Sequence, residues 1–364
     1  MFYILGIVLG LLNLIDFGAF GLGEIFLIIF LFILSINKRN SNKRHIIYLK
    51  NNFNKNLINV FLFIIFLSGY ILWSNISMNL VVKAVIKWIT IFVEMIFIYK
   101  SLVNNNKTIN LLITFLLFSK LAEYHTFNSI YALHYFFVIP IFNLLYIKKG
   151  RDKYKYLLYA ICLIYFLIGK SRSGLVLLIA YIACEWTNYV YLNIKSKKIN
   201  NIIKSLFIVI MFVIGAILSF NYIGSNISES TESNNERRAL LEVVIEEFKD
   251  SPLIGVGPIN FNNYAQNTLG YKLRNNQLTP HNLYLEILAE NGLIGFLLFI
   301  NILFIMFKVL KNKKIELSIK FSALYILVYY MFSTFTGTNR IVFTILYTVV
   351  AYEYYKKIKE EHYE

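Results

Sequence analysis

Four short polar stretches hold the residues whose chemistry can go beyond packing. Lys170, Ser171, Arg172, Ser173 and Gly174 form a tight turn between two apolar runs. As an ordinary turn it anchors the chain at a lipid interface, with Arg172 reaching headgroups and Ser173 capping the next helix. As a site, it offers a planar guanidinium that binds phosphate oxygens in pairs. Arg237 and Arg238 open an amphipathic stretch. Arg238 and Glu242 stand four apart on one helix face, which gives a solvated pair worth roughly 0.2–0.5 kcal/mol. Cations are disfavoured at a helix N-terminus by the dipole, so this placement makes better sense when an anion joins them. The third stretch, Ser251 to Phe261, carries two prolines and two glycines and reads as a stiff turn. Its glycines can bring backbone N–H groups close to phosphate, but it lacks the Lys-Ser/Thr of a nucleotide-binding loop. The fourth runs from Thr279 through His281, Asn282, Tyr284, Leu285 and Glu286 to Glu290 and Gly295. Thr279 reads as an N-cap and Pro280 as the first helical residue, which puts His281 in the first turn of a helix. The positive helix end there favours neutral imidazole, a form that accepts a proton, although the plain reading of one interfacial histidine is a polar boundary residue. No zinc-protease helix, paired CxxC or carboxylate cluster predicts a metal site.

The composition says what kind of scaffold holds these stretches. Of 364 residues, 58% are hydrophobic and 15% charged, and the mean hydropathy is +0.60. A soluble domain carries about 25% charged residues, so a large cytosolic or secreted catalytic domain is excluded. The net charge of +16 comes from basic residues scattered between apolar spans, not gathered on one face, so membrane topology explains it and nucleic acid does not. Apolar spans fall near 2–15, 22–36, 57–74, 80–99, 109–122, 129–147, 156–169, 174–193, 205–223, 283–307, 317–335 and 341–355. They predict an all-α, polytopic integral membrane protein of about twelve transmembrane helices, some shorter than the ~20 residues of a comfortable span. Met1 to Ile15 reads as a retained short span rather than a signal peptide, and Cys162 and Cys184, inside apolar runs, read as packing residues.

The loops at 37–56, 100–108, 148–155, 195–204 and 308–320, with the C-terminal tail, hold most of the Lys and Arg and are expected on the cytoplasmic side. Both termini are then cytoplasmic. Asp16 to Gly23, Lys120 to Asn128, Gly169 to Gly174, Gly224 to Asn282 and Thr336 to Arg340 face the other side. The chain divides into 1–223, with about nine transmembrane helices, an extracytoplasmic loop at 224–282, and 283–364, with about three more helices and a tail. In the long loop, Leu240, Leu241, Val244, Ile245 and Phe248 repeat at helical spacing, with Glu242, Glu246, Glu247 and Lys249 opposite. Glu236 to Lys249 is therefore expected as an amphipathic helix lying on the membrane or capping the bundle. Its Ser-, Asn- and Glu-rich opening would permit ordering only when substrate binds. Lys83, Lys87 and Glu94 lie within the fourth span and are expected to face the interior or to snorkel.

All of these arginines and the histidine fall on one side of the membrane, beside the only long loop. This combination resembles the O-antigen ligase and polymerase superfamily of bacterial membrane glycosyltransferases. The resemblance rests on Ser171-Arg172-Ser173-Gly174, on an arginine fifteen residues before the Pro252 to Phe261 turn, and on His281-Asn282-x-Tyr284-Leu285 followed by Glu290-x-Gly292-Leu293-Ile294-Gly295. It implies that Arg172 and Arg237 serve as the family's turn and loop arginines and His281 as its histidine, with Arg238 a competitor for the loop role. Leu241 stands where such proteins often have tryptophan. It also implies a polyprenyl-diphosphate-linked saccharide donor, no cofactor and no metal.

The expected reaction follows. Glycosyl transfer from a lipid diphosphate builds negative charge on the leaving group, which Arg172 and Arg237 would bind, while His281 takes the acceptor's proton or orients the diphosphate. Arg238, Asn282, Glu286 and Glu290 are the expected supporting, substrate-binding residues. The leading expectation is a polymerase that joins lipid-linked repeat units into capsular, exopolysaccharide or O-antigen chains on the outer face of the bacterial cytoplasmic membrane. Flippase and chain-length regulator proteins would be its partners, along with the lipid bilayer, and no nucleic acid. A ligase acting on another acceptor shares the donor chemistry. A flippase or other transporter would instead predict repeated halves and charges along a midplane cavity, towards which only Lys83, Lys87 and Glu94 lean. A non-catalytic scaffold would tolerate single replacement of Arg172, Arg237 and His281.

Overall fold

The computed structural model describes residues 2–12, 22–36, 43–73, 76–105, 108–112, 115–116, 227–267, 280, 282–312, 314–315, 317–331 and 339–363. Every regular element among them is helical: α1 (Phe2–Leu12), α2 (Leu22–Ile36), α3 (Lys43–Trp73), α4 (Met78–Asn104), α5 (Ile227–Asp250), α6 (Phe261–Asn267), α7 (Leu283–Lys311), α8 (Leu317–Tyr329) and α9 (Asn339–Tyr363). The expected spans near 129–147, 156–169, 174–193 and 205–223 lie outside the described residues, as do Cys162 and Cys184. Within α3, Phe53–Leu72 is long and apolar enough to cross a bilayer, and so is the whole of α7, Leu283–Lys311.

α3 and α7 run antiparallel, and side-chain amides lock their register. Asn59 Nδ2 donates to the Asn301 carbonyl at 3.2 Å and Asn301 Nδ2 donates to Asn59 Oδ1 at 3.1 Å. α4 packs against α3 and α9, α9 touches both α3 and α7, α2 packs on α4, and α8 packs on α7. Trp88 of α4 wedges between Phe63 of α3 and Phe299 of α7, with ring centroids 4.5 and 6.2 Å apart. Tyr347 of α9 donates to the Ile302 carbonyl at 2.8 Å. The buried faces are lined by Val60, Leu67, Ile91, Ile302 and Leu346. The opposite faces are equally apolar: Phe26, Ile29 and Ile33 on α2, Ile58, Phe61 and Ile65 on α3, and Leu297, Phe304 and Phe307 on α7 are all exposed. Apolar outside as well as inside is the pattern of helices solvated by lipid.

One expectation about charge is corrected here. Arg340 does not sit in an outer connection. It lies in the first turn of α9, buried, with Nη1 donating to Glu94 Oε1 of α4 at 3.0 Å and Nη2 bonded to Glu24 Oε1 of α2. A guanidinium in the bundle needs carboxylates around it, since an unpaired charge there is very costly. Glu94 faces the interior as expected, and Arg340 is the reason it can.

Candidate active site

The site is organised by two glycine-containing segments that pair through their backbones. α7 is broken at Gly292, where φ is 59° and ψ is −166°. A break of this kind strips neighbouring carbonyl and N–H groups of their helical partners, and buried backbone groups must find others. The turn after α5 supplies them. Val256 N–H donates to the Ala289 carbonyl at 3.1 Å and Gly257 N–H to the Glu290 carbonyl at 2.8 Å. In return, Leu293 N–H donates to the Pro252 carbonyl at 2.9 Å and Ile294 N–H to the Leu253 carbonyl at 3.1 Å. Glycine is required on both sides of this clasp. A Cβ on Gly255 would lie 2.4 Å from the Glu290 backbone, and one on Gly292 would lie 2.4 Å from the Leu253 backbone; both residues also have positive φ. Tyr70, near the end of α3, donates its hydroxyl to the Ile254 carbonyl and so ties the clasp to the bundle.

Glu290 completes the joint from the helix side. Its Oε2 accepts from Ile259 N–H at 2.9 Å and its Oε1 from Phe261 N–H at 3.4 Å, holding the start of α6. A carboxylate at the N-terminus of a short helix satisfies donors that have no other partner. The carboxylate is thus engaged with the protein's own backbone, which makes it a positioning group for the turn.

α5 packs onto this joint. Leu240, Val243 and Val244 bury against Phe261 and Ala265 of α6 and Ala289 of α7. The helix begins at Ile227, so the polar run expected to precede it, up to Glu236, is part of it. Its buried face also differs from the expected one. Leu241 and Ile245 are exposed, Val243 is buried, and Glu247, assigned to the solvent face, is fully buried. Neither Glu247 carboxyl oxygen has a hydrogen-bond partner. Burial, and secondarily the nearby Glu290 carboxylate, pushes the Glu247 carboxyl up to about 9, so it is neutral at pH 7.

The start of α7 is corrected as well. The helix begins at Leu283, and its N-cap is Asn282, with φ −150° and ψ 107°. Asn282 Oδ1 accepts from Tyr284 N–H at 3.0 Å and from Leu285 N–H at 3.2 Å. Asn is among the strongest N-caps, and it takes the role expected of Thr279. His281 therefore precedes the helix by two residues and is not in its first turn. His281 and Arg172 themselves lie outside the described residues. Arg237 is in the first half of α5, with its side chain outside the described residues; Arg238 is exposed and stands 3.8 Å from Glu242, as the spacing predicts. Glu286, one turn before Glu290, has a buried Oε2 without a hydrogen-bond partner. Lys87 of α4 is close enough to attract both Glu286 and Glu290. The structure thus brings Glu247, Glu286, Glu290 and Lys87 together under the clasp. Among the described residues no three His, Cys, Asp or Glu side chains converge as metal ligands.

Sequence reasoning missed Glu247, Tyr70 and Lys87 as members of this region. For Glu247 the signal was present: residues 240, 243, 244 and 247 are spaced i, i+3, i+4 and i+7, the buried arc of a helix. For Tyr70 and Lys87 it was not, since both reach the site from another helix.

Above the joint, a cleft of about 650 Å³ opens between the α3–α4 connection and the 250–264 segment. Ser77, Asp250, Ser251, Asn260, Asn263 and Tyr264 supply its polar lining. The Tyr264 hydroxyl donates to Asp250 Oδ2.

Residues 157–300 match a protein family described as O-antigen ligase. The matched segment contains Arg172, α5, both halves of the clasp, His281 and the first part of α7. No curated protein matches the chain.

Proposed function

From membership of the O-antigen ligase and polymerase superfamily, carried by residues 157–300, we propose that this membrane protein polymerises polyprenyl-diphosphate-linked oligosaccharide repeat units. The match supports ligase- or polymerase-type chemistry on lipid-linked saccharides, and the apolar helices agree with a membrane location. The product in this reading is a capsular, exopolysaccharide or O-antigen chain, made without metal on the outer face of the bacterial cytoplasmic membrane, with both termini inside.

The acceptor hydroxyl oxygen bonds to the anomeric carbon of the donor as the bond from that carbon to the diphosphate oxygen breaks. The electron pair leaves with the polyprenyl diphosphate, and the hydroxyl proton passes to His281. Arg172 and Arg237 bind the diphosphate, whose charge grows through the step, and loss of one such group costs about 10²–10³ in rate. Arg238, exposed and paired with Glu242, competes for the loop-arginine role. Asn282 and Glu290 hold the head of α7 and the turn in place, and Glu286 keeps a carboxyl oxygen available beside them.

The observation that carries this reading is the coincidence of Arg172, Arg237 and His281 within one family-matched segment. The clasp supports it physically, because it fastens α5, which bears both loop arginines, to the helix that begins two residues after His281. Alanine replacements test it in protein reconstituted with lipid-linked repeat units. Arg172→Ala and Arg237→Ala lose about 10²–10³ in rate, whereas Arg238→Ala stays within a few-fold of wild type. Equal, full activity in all three would remove the arginine assignment.

The family description itself favours a second reading, a ligase that delivers a finished glycan to a different acceptor. Lipid-linked repeat units alone suffice for a polymerase. A ligase stays idle until the second acceptor is added.

A further inference from the structure

The cleft above the joint has a chemical character unlike the arginine site. Its polar lining consists of hydroxyls from Ser77, Ser251 and Tyr264, amides from Asn260 and Asn263, and the carboxylate of Asp250. Among the described residues that line it there is no lysine or arginine, and this part of the cleft is poorly suited to a diphosphate, which calls for cations. Hydroxyls and amides both donate and accept, and a carboxylate accepts from two donors at once. That mixture matches a ligand whose surface is mostly hydroxyl groups. Val256, Ile76 and Leu80 add apolar wall, and the Tyr264 ring adds a flat apolar surface with a polar tip, suited to the C–H face of a sugar ring.

Several of these groups are held in place by contacts that leave further hydrogen-bonding capacity. Ser77 occupies the N-cap of α4 but makes no side-chain cap bond, although serine normally spends its hydroxyl that way. Asn260 commits its Nδ2 to the Val256 carbonyl at 2.8 Å, which fixes the amide and leaves its Oδ1 to accept. Asp250 Oδ2 accepts from Tyr264, which fixes the ring over the cleft and leaves Oδ1. Burial and the neighbouring Asp250 push the Tyr264 hydroxyl up to about 12, so it stays a donor. The segment from 250 to 264 is itself pinned by the clasp and by Glu290. A cavity of this volume falls within the range of sites that take a small ligand.

We infer that this cleft is the saccharide subsite, binding the sugar portion of the lipid-linked substrate through Asp250, Asn263 and Tyr264, and that it selects neutral over acidic sugars because its lining, among the described residues, carries a carboxylate and no lysine or arginine. This rests on the function proposed above, and it separates sugar recognition from the diphosphate recognition assigned to Arg172 and Arg237.

The probe is the lipid-free oligosaccharide released by mild acid from the lipid-linked pool of cells expressing the protein. Its binding to full-length protein in lipid nanodiscs is followed by saturation-transfer NMR, beside an oligosaccharide of equal length bearing uronic acids. Asn263→Trp fills the cleft from the exposed face of α6, and the double variant Asp250→Leu, Tyr264→Phe removes the hydrogen bonds of these two side chains at nearly constant volume. Lys249→Ala, exposed and outside the lining, is the control. Wild type and Lys249→Ala are expected to bind the neutral oligosaccharide, Asn263→Trp at least tenfold more weakly, the double variant more weakly than wild type, and the acidic oligosaccharide not at all. Binding of sugar-free polyprenyl diphosphate by Asn263→Trp verifies that this variant is folded. Unchanged binding in a folded Asn263→Trp, absence of binding by wild type, or preference for the acidic oligosaccharide would each overturn the assignment. The readout requires no turnover. A wild type that binds at the cleft but makes no polymer keeps the subsite and removes the polymerase, and a working polymerase indifferent to Asn263→Trp does the reverse.

Discussion

Glu247 is a buried carboxyl with no hydrogen-bond partner, and its titration sets a direction for the stability of the joint. The carboxyl titrates near 4.5 in the unfolded chain and at about 9 when folded. Between those values the folded protein holds one proton more, so stability is fully present below about pH 4.5 and is lost as pH rises to about 9. Thermal unfolding in detergent or nanodiscs is expected to fall across that window in wild type and to flatten in Glu247→Gln. A wild-type curve as flat as that of the variant would contradict the assignment. Glu247→Met, which fills the space without orphan oxygens, is expected to raise the melting temperature at pH 8. The opposite logic applies to Gly255 and Gly292. Alanine at either forces a Cβ to within 2.4 Å of opposing backbone at positive φ, a strain of about 1–3 kcal/mol before the clash is counted. Hydrogen exchange over residues 251–260 is expected to accelerate in both variants, and unchanged protection would mean that the clasp is not held by this pairing. The glycines could be read from the sequence as a stiff turn. Their shared partner could not, because the pairing joins residues nearly forty positions apart.

The elements were legible where hydropathy decides them. α2 coincides with the expected 22–36 span, and α4 extends the expected 80–99 span by a few residues at each end. Boundaries set by polar residues were less so. α3 begins at Lys43 although its apolar part begins near residue 57, because nothing in Lys43 to Asn56 breaks a helix and propagation costs little once a helix is nucleated. The same holds for Ile227 to Asn235 at the start of α5. At α7 the sequence pointed to Thr279 and Pro280 as cap and first helical residue, whereas the helix starts after Asn282. The consequence is testable. Asn282→Ala loses about 1 kcal/mol of helix stability and Asn282→Ser keeps most of it. Activity is expected to follow the cap, falling in Asn282→Ala and returning in Asn282→Ser. Equal loss in both would point to direct contact between the Asn282 amide and the substrate.

Across the whole molecule, charge holds distant parts of the chain together. Arg340 joins Glu94, 246 positions away, and Glu24, 316 positions away. No local pattern reports such a contact, which is why Arg340 reads from the sequence as an outer-loop residue. Removing one partner from a buried ion network costs about 3–5 kcal/mol because the others are left uncompensated. Arg340→Met is expected to lower the yield of folded protein sharply, and Arg340→Lys to recover only part of it, since one ammonium cannot fork to two carboxylates. Full thermal stability in Arg340→Met would show that the network is dispensable. Membrane character and helical class, by contrast, are written in the composition.

The central claim, glycosyl transfer from a lipid diphosphate, is tested most directly by reconstituting the purified protein in lipid with a polyprenyl-diphosphate oligosaccharide and chelator, with His281→Ala alongside, and resolving product length on a gel. The account predicts a ladder at repeat-unit intervals in wild type that is lost in His281→Ala. Intact donor with no elongation, with or without a second acceptor, would contradict it.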